Sequence, residues 1–185
     1  METVRHSLML RESAKRFESA ELLRAAGDDS DSAYLLQLVG FELLLKVVVE
    51  RATGKEVHGH HYLTLFNKLS EETRSAVLQL AGEWAGPSAL THAHESVLTD
   101  LGSNFVKLRY PYEEYSSLTN EQYQQLGEEW IARGASSAEA DFRYHPEELR
   151  ALTLALRQLA DASQQFVQAD AASRRGLTQV LGGYG

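Results

Sequence analysis

The chain has 185 residues, 43% of them hydrophobic and 24% charged, which suits one globular domain with its own core and excludes disorder throughout. Its net charge of −8 and pI near 5.4 are opposite to those of proteins that coat phosphate backbones, which disfavours nonspecific nucleic-acid binding but leaves room for a local basic pocket. The absence of cysteine excludes disulfides, thiolate nucleophiles and cysteine-ligated zinc.

Only three prolines interrupt the chain, Pro87, Pro111 and Pro146, and long stretches without breakers favour helices. The first helix is expected from about Glu2 to Ala26, with Leu10, Ala14, Phe17 and Ala20 at helical spacing. Gly27 and the following Asp-Asp-Ser stop it and start the next. The second helix, about Asp31 to Thr53, is apolar nearly all round, so it should be enclosed by the others.

A glycine-containing loop follows, then a short helix over His61 to Leu69. Ser70 reads as an N-cap for Glu71 to Ala81, and the next helix covers Leu90 to Leu108. Pro111 forces a kink or a stop after Arg109. Thr119-Asn-Glu-Gln122 has the form of a capping box and opens a helix to about Ala132.

The last helix starts at Pro146, with Leu149, Leu152, Leu156 and Leu159 as its apolar seam and Phe166 further along. The expected fold is all-α: an antiparallel helical bundle around the apolar helix at about 31–53, with additional C-terminal helices. A single domain is expected over 1–172, with 173–185 as a tail. The N-terminus has no apolar run of signal-peptide length, and no stretch approaches about 20 apolar residues, so a cytoplasmic protein without a membrane partner is expected.

Glu42 and Lys46 interrupt the apolar helix. Their spacing puts them on one face, with the acid on the favoured N-terminal side. Burying either alone is costly, so both must meet polar groups or a wet cleft. Candidate partners are the loop histidines His58, His60 and His61, and the run Arg109-Tyr110-Pro111-Tyr112-Glu113. Together they could form a pocket for a phosphate-bearing ligand, or only an ion-pair network that fixes helix packing. His92 and His94 diverge by about 200° on a helix, so a zinc site would require both histidine pairs to converge. Motifs of nucleotide-fold enzymes and common hydrolases are absent.

The order Gly40-Phe41-Glu42, Lys46, Gly59-His60 with Leu63, then Phe105 and Arg109-Tyr110-Pro111-Tyr112-Glu113, resembles the HEPN superfamily (higher eukaryotes and prokaryotes nucleotide-binding domains) over residues 33–113. The resemblance implies an all-α module that forms homodimers and works beside nucleotidyltransferase-type partners, in toxin–antitoxin pairs or in phage defence. It implies a nucleotide or RNA phosphate as ligand, at Glu42, Lys46, His60, Arg109, Tyr110 and Glu113, and no cofactor or metal.

Many members of that superfamily are metal-independent endoribonucleases with an Arg-x(4–6)-His motif. After Arg109, the corresponding positions hold Glu114, Tyr115 and Ser116, whereas Arg51 and His58 satisfy the spacing across a glycine loop. The catalytic candidates under that alternative are His60 or His58 for protons and Arg109 or Arg51 for phosphate. A purely structural or antitoxin-like subunit is the remaining alternative.

Overall fold

The computed structural model describes residues 3–136 and 139–161, and among these there are helices and no strands. The elements are α1 (Val4–Ala25), α2 (Ser32–Thr53), α3 (Tyr62–Phe66), α4 (Glu71–Ala85), α5 (Leu90–Lys107), α6 (Pro111–Glu114) and α7 (Asn120–Ala132). Residues 146–161 form a further helix, α8. Phe166 and the 173–185 tail lie outside the described residues.

The chain forms an all-helical bundle around one long apolar helix. Leu38, Phe41, Leu44, Leu45, Val47 and Val49 of α2 are all but inaccessible, because α1, α3 and α5 cover different faces of it. By length and composition alone α2 is long and apolar enough to cross a membrane, against the expectation that no stretch approaches that length. In the bundle those apolar faces are packed against other helices, and Glu42 and Glu50 among them are paired.

α1 and α2 are an antiparallel hairpin. Arg5 meets Glu50, the Ser13 hydroxyl donates to the Gly40 carbonyl at 2.7 Å, and Arg24 donates to Gln37, so the contacts run in opposite directions along the chain. The approach depends on Gly40, where a Cβ would stand 2.7 Å from the Phe17 ring. Of the residues at helical spacing in α1, Ala20 is fully buried and Leu10 and Phe17 pack against the core, while Ala14 is exposed. His6, Met9 and Ser13 are buried as well, and two of these are polar, so the apolar pattern does not mark them.

The caps agree with the sequence. Ser70 accepts from the Thr73 N–H, and Thr119 with Gln122 forms both bonds of a capping box. Asp31 makes no capping bond and instead accepts from the Tyr144 hydroxyl at 2.8 Å. α4 runs on to Ala85, beyond the expected Ala81. Pro111 does not merely stop α5. It occupies the first turn of α6, where a missing N–H costs nothing. His92 and His94 fall within α5, but Ala93 between them is non-helical (φ −142°, ψ 30°), so α5 is kinked there.

The 143–145 segment fastens the start of α8 to α2 and α5. Asn104 donates to the Arg143 carbonyl, His145 Nε2 lies 3.0 Å from Asp100, and the Tyr34 hydroxyl donates to the Tyr144 carbonyl. Burial, followed by the hydrogen bond to Asp31, pushes the Tyr144 phenol up to about 12. Leu149, Leu152, Ala155 and Leu156 of α8 then enter the core. α7 has no buried residue and exposes Tyr123, Leu126 and Ile131.

Candidate functional site

Glu42 is the centre of the candidate site. Its side chain is 8% exposed, and its carboxylate accepts from Lys46 Nζ at 2.7 Å and from His60 Nδ1 at 2.9 Å. The i,i+4 spacing on α2 gives the first bond. The second requires the loop after α2 to fold back over the helix, and it does so because Tyr62 is fully buried beside Phe41 and donates its hydroxyl to the Leu38 carbonyl. Burial, followed by the charge of Glu42, raises the Tyr62 phenol well above its ordinary range and keeps it neutral.

A carboxylate bound to Nδ1 fixes the imidazole tautomer. With the carboxylate as acceptor Nδ1 carries the hydrogen, and in the neutral imidazole the lone pair then lies on Nε2. The His60 side chain is 48% exposed. The imidazole stacks on Phe105 with ring centres 5.0 Å apart.

Arg109 lies against the same aromatic side chain. Its guanidinium carbon is 4.7 Å from the Phe105 ring centre, and Nε donates to the Phe105 carbonyl at 3.1 Å. One edge of the guanidinium is thereby anchored, while its terminal nitrogens are available to a ligand. Phe105 positions both His60 and Arg109 without supplying a reacting group.

The expected residues thus separate into two adjoining parts. Glu42, Lys46 and His60 form one hydrogen-bonded unit, and Arg109 joins it across Phe105. Tyr110 and Glu113 do not reach that unit. They line an open groove of about 420 Å³ beside it, which Arg109 also lines, and Tyr110 packs edge-on against Tyr112. Arg51 and His58 do not act together: Arg51 donates to the Ala160 carbonyl at 2.9 Å, and His58 is exposed in the loop. Among the described residues no three His, Asp or Glu side chains are grouped to hold a metal ion. His94 instead meets the edge of Phe66, and His92 meets Thr91.

The loop that carries His60 passes close to α5 at Gly102. A Cβ there would lie 3.2 Å from the Tyr62 nitrogen and 3.3 Å from the His60 carbonyl oxygen, both of them backbone atoms. Gly102→Ala is therefore expected to push the loop outward and loosen the His60–Glu42 bond, at a cost of about 1–2 kcal/mol. Denaturant unfolding should show the loss of stability, and the His60 ring resonances should shift.

The sequence reading missed a second buried acid. Glu50 is 3% exposed and accepts from Arg5 Nε at 3.1 Å and Arg5 NH2 at 3.0 Å, from His6 Nε2 at 3.2 Å and from the Val57 N–H at 3.1 Å. Burial alone would raise its pKa, but the bonds from Arg5 and Val57 prevail and hold it below the ordinary value. Its signal was the continued spacing of four from Glu42 through Lys46 to Glu50. Neither a protein-family model, nor a curated protein, nor a solved structure matches the chain.

Proposed function

We propose that the chain is a HEPN-like helical module that binds a nucleotide or RNA phosphate at His60 and Arg109. The observation that carries this reading is the pair of side chains fixed on Phe105: an imidazole held at Nδ1 by a buried carboxylate, and an arginine with its outer nitrogens unengaged. The all-helical bundle and the order of Glu42, Lys46, His60, Phe105 and Arg109 along the chain support it. Lys46 offsets the charge of Glu42, so the anion meets the arginine rather than a bare carboxylate.

Fluorescence anisotropy with a labelled single-stranded RNA tests the reading. Arg109→Ala and His60→Ala should each weaken binding by roughly ten- to a hundredfold, the worth of one lost charge-assisted hydrogen bond. Arg109 is exposed and its side chain bonds only a backbone carbonyl, so Arg109→Ala should change thermal stability little, whereas His60→Ala also removes a donor from buried Glu42, and its affinity is read on protein shown by circular dichroism to be folded. Unchanged affinity in both variants would leave the cluster with a structural role only.

A second reading, a metal-independent endoribonuclease, is favoured by the half-exposed His60, whose Nε2 holds the lone pair when Nδ1 donates to Glu42. That nitrogen would take the proton of an RNA 2′-hydroxyl as O2′ attacks phosphorus, and the P–O5′ bond would break to leave a 2′,3′-cyclic phosphate. Water would protonate the departing 5′-oxygen, and Arg109 would stabilise the charged phosphoryl oxygens. RNA incubated in excess chelator should then yield a cyclic phosphate with wild type and none with His60→Ala.

A further inference from the structure

We propose a second ligand site, separate from the His60–Arg109 cluster: the cavity of about 680 Å³ at the far end of α2, which takes a small organic phosphomonoester. It is bounded by the start of α1, the end of α2, the loop at 54–56, Thr73 of α4 and the end of the described part of α8. Three cations, Arg5, Arg51 and Lys55, line it in a chain whose overall charge is −8.

Two carboxylates also stand there, but they do not cancel the cations equally. Glu50 is saturated by Arg5, His6 and the Val57 N–H, so it is spent as an internal partner of Arg5. Glu56 is exposed at the rim. Arg5 spends only Nε and one terminal nitrogen on Glu50, and its side chain is 41% exposed, which leaves its NH1 group to donate to a ligand. Glu50 thus fixes the plane of a guanidinium fork at the cavity wall, the geometry suited to a phosphate.

Three further features favour an anion. The first turn of α1 has no acidic residue, so its positive end is uncompensated by its own sequence. Thr3, its N-cap, accepts from the His6 N–H and still has its hydroxyl hydrogen to donate. His6, on the same wall, bonds Glu50 through Nε2 and so helps to keep that carboxylate engaged rather than facing an incoming anion.

The cavity is far larger than a phosphate alone requires. Its remaining wall includes Val48, Ala52 and Leu159, which suits an uncharged organic body attached to the phosphate. Phosphate would seat between Arg5 and Lys55, with the body directed along α2 toward Leu159.

Isothermal titration of the full chain tests this with inorganic phosphate, adenosine 5′-monophosphate and adenosine. Phosphate and the monophosphate should bind, the monophosphate more tightly, and adenosine should not. Lys55→Glu, at an exposed position, should weaken both by about tenfold or more, since it replaces an attraction by a repulsion. Arg5→Gln should act in the same direction, with circular dichroism confirming that it folds. Because the His60–Arg109 cluster would itself take a nucleotide phosphate, the titrations are repeated in Arg109→Ala, where one equivalent of the monophosphate should still bind and Lys55→Glu should weaken that remaining binding. Failure of both phosphate and the monophosphate to bind, binding indifferent to Lys55→Glu, or binding lost in Arg109→Ala would each overturn the proposal. The RNA measurements on His60 and Arg109 stand independently of this result.

Discussion

Glu50→Ala should cost about 3–5 kcal/mol of stability, because it removes the common acceptor of a buried charge cluster while leaving its donors in place. His6 would keep both ring nitrogens buried without partners, and the Val57 N–H would lose its acceptor. Arg5, being partly exposed, can turn to water and recover some of its loss, which places the effect toward the lower end. Urea unfolding followed by circular dichroism measures it. A loss below about 1 kcal/mol would mean that the Arg5–His6–Glu50 cluster does not hold α1 to α2.

The same group makes stability depend on pH in a defined direction. Glu50 has a lower pKa in the folded chain than the ordinary carboxylate value of 4.5. Its ionised form therefore stabilises the fold at any pH above that value. The contribution shrinks as pH falls below about 4.5, and it is gone once Glu50 is protonated in the folded chain as well. Glu50→Gln removes the titration. The stability difference between wild type and Glu50→Gln should be largest near neutrality and should close in acid. A difference that stayed constant from neutral pH down to about pH 3 would assign the effect to shape rather than charge.

Helix positions were legible in the sequence because they follow from local chemistry. Ser70 and Thr119 cap as their side chains require, Pro146 opens α8, and the apolar length of α2 makes it the core. Glu42 and Lys46 were equally legible, since two charges on one face of an apolar helix must find partners. Phe105 was not legible as the support of both His60 and Arg109, because that depends on how the loop after α2 crosses α5. Glu50 escaped for a different reason: at the end of an apolar run, beside Arg51, an acid looks like the polar end of a helix. Its three partners come from α1 and from the loop beyond, and no local pattern announces them. Tyr110 and Glu113 follow Arg109 closely in the chain, yet Pro111 begins a new helix turn there and carries them to the neighbouring groove.

Variants of Glu42 and Lys46 separate packing from function at the candidate site. Glu42→Ala alone should cost about 3 kcal/mol, since it strands the Lys46 ammonium, whose side chain is 13% exposed, without its 2.7 Å partner. Replacing both, as Glu42→Met with Lys46→Met, removes the stranded charge and fills the same space with flexible apolar side chains. That double variant should return to within about 1 kcal/mol of wild type, because a buried ion pair barely outweighs the desolvation it demands. Its His60, however, no longer has a carboxylate to hold Nδ1, so the imidazole is free to rotate and to carry its hydrogen on either nitrogen. If the cluster only fixes helix packing, recovery of stability is the whole outcome. If His60 and Arg109 bind phosphate, the stable double variant should still bind RNA about tenfold more weakly than wild type. A double variant that recovers both stability and RNA affinity would show that the Glu42–His60 bond orients nothing the ligand needs.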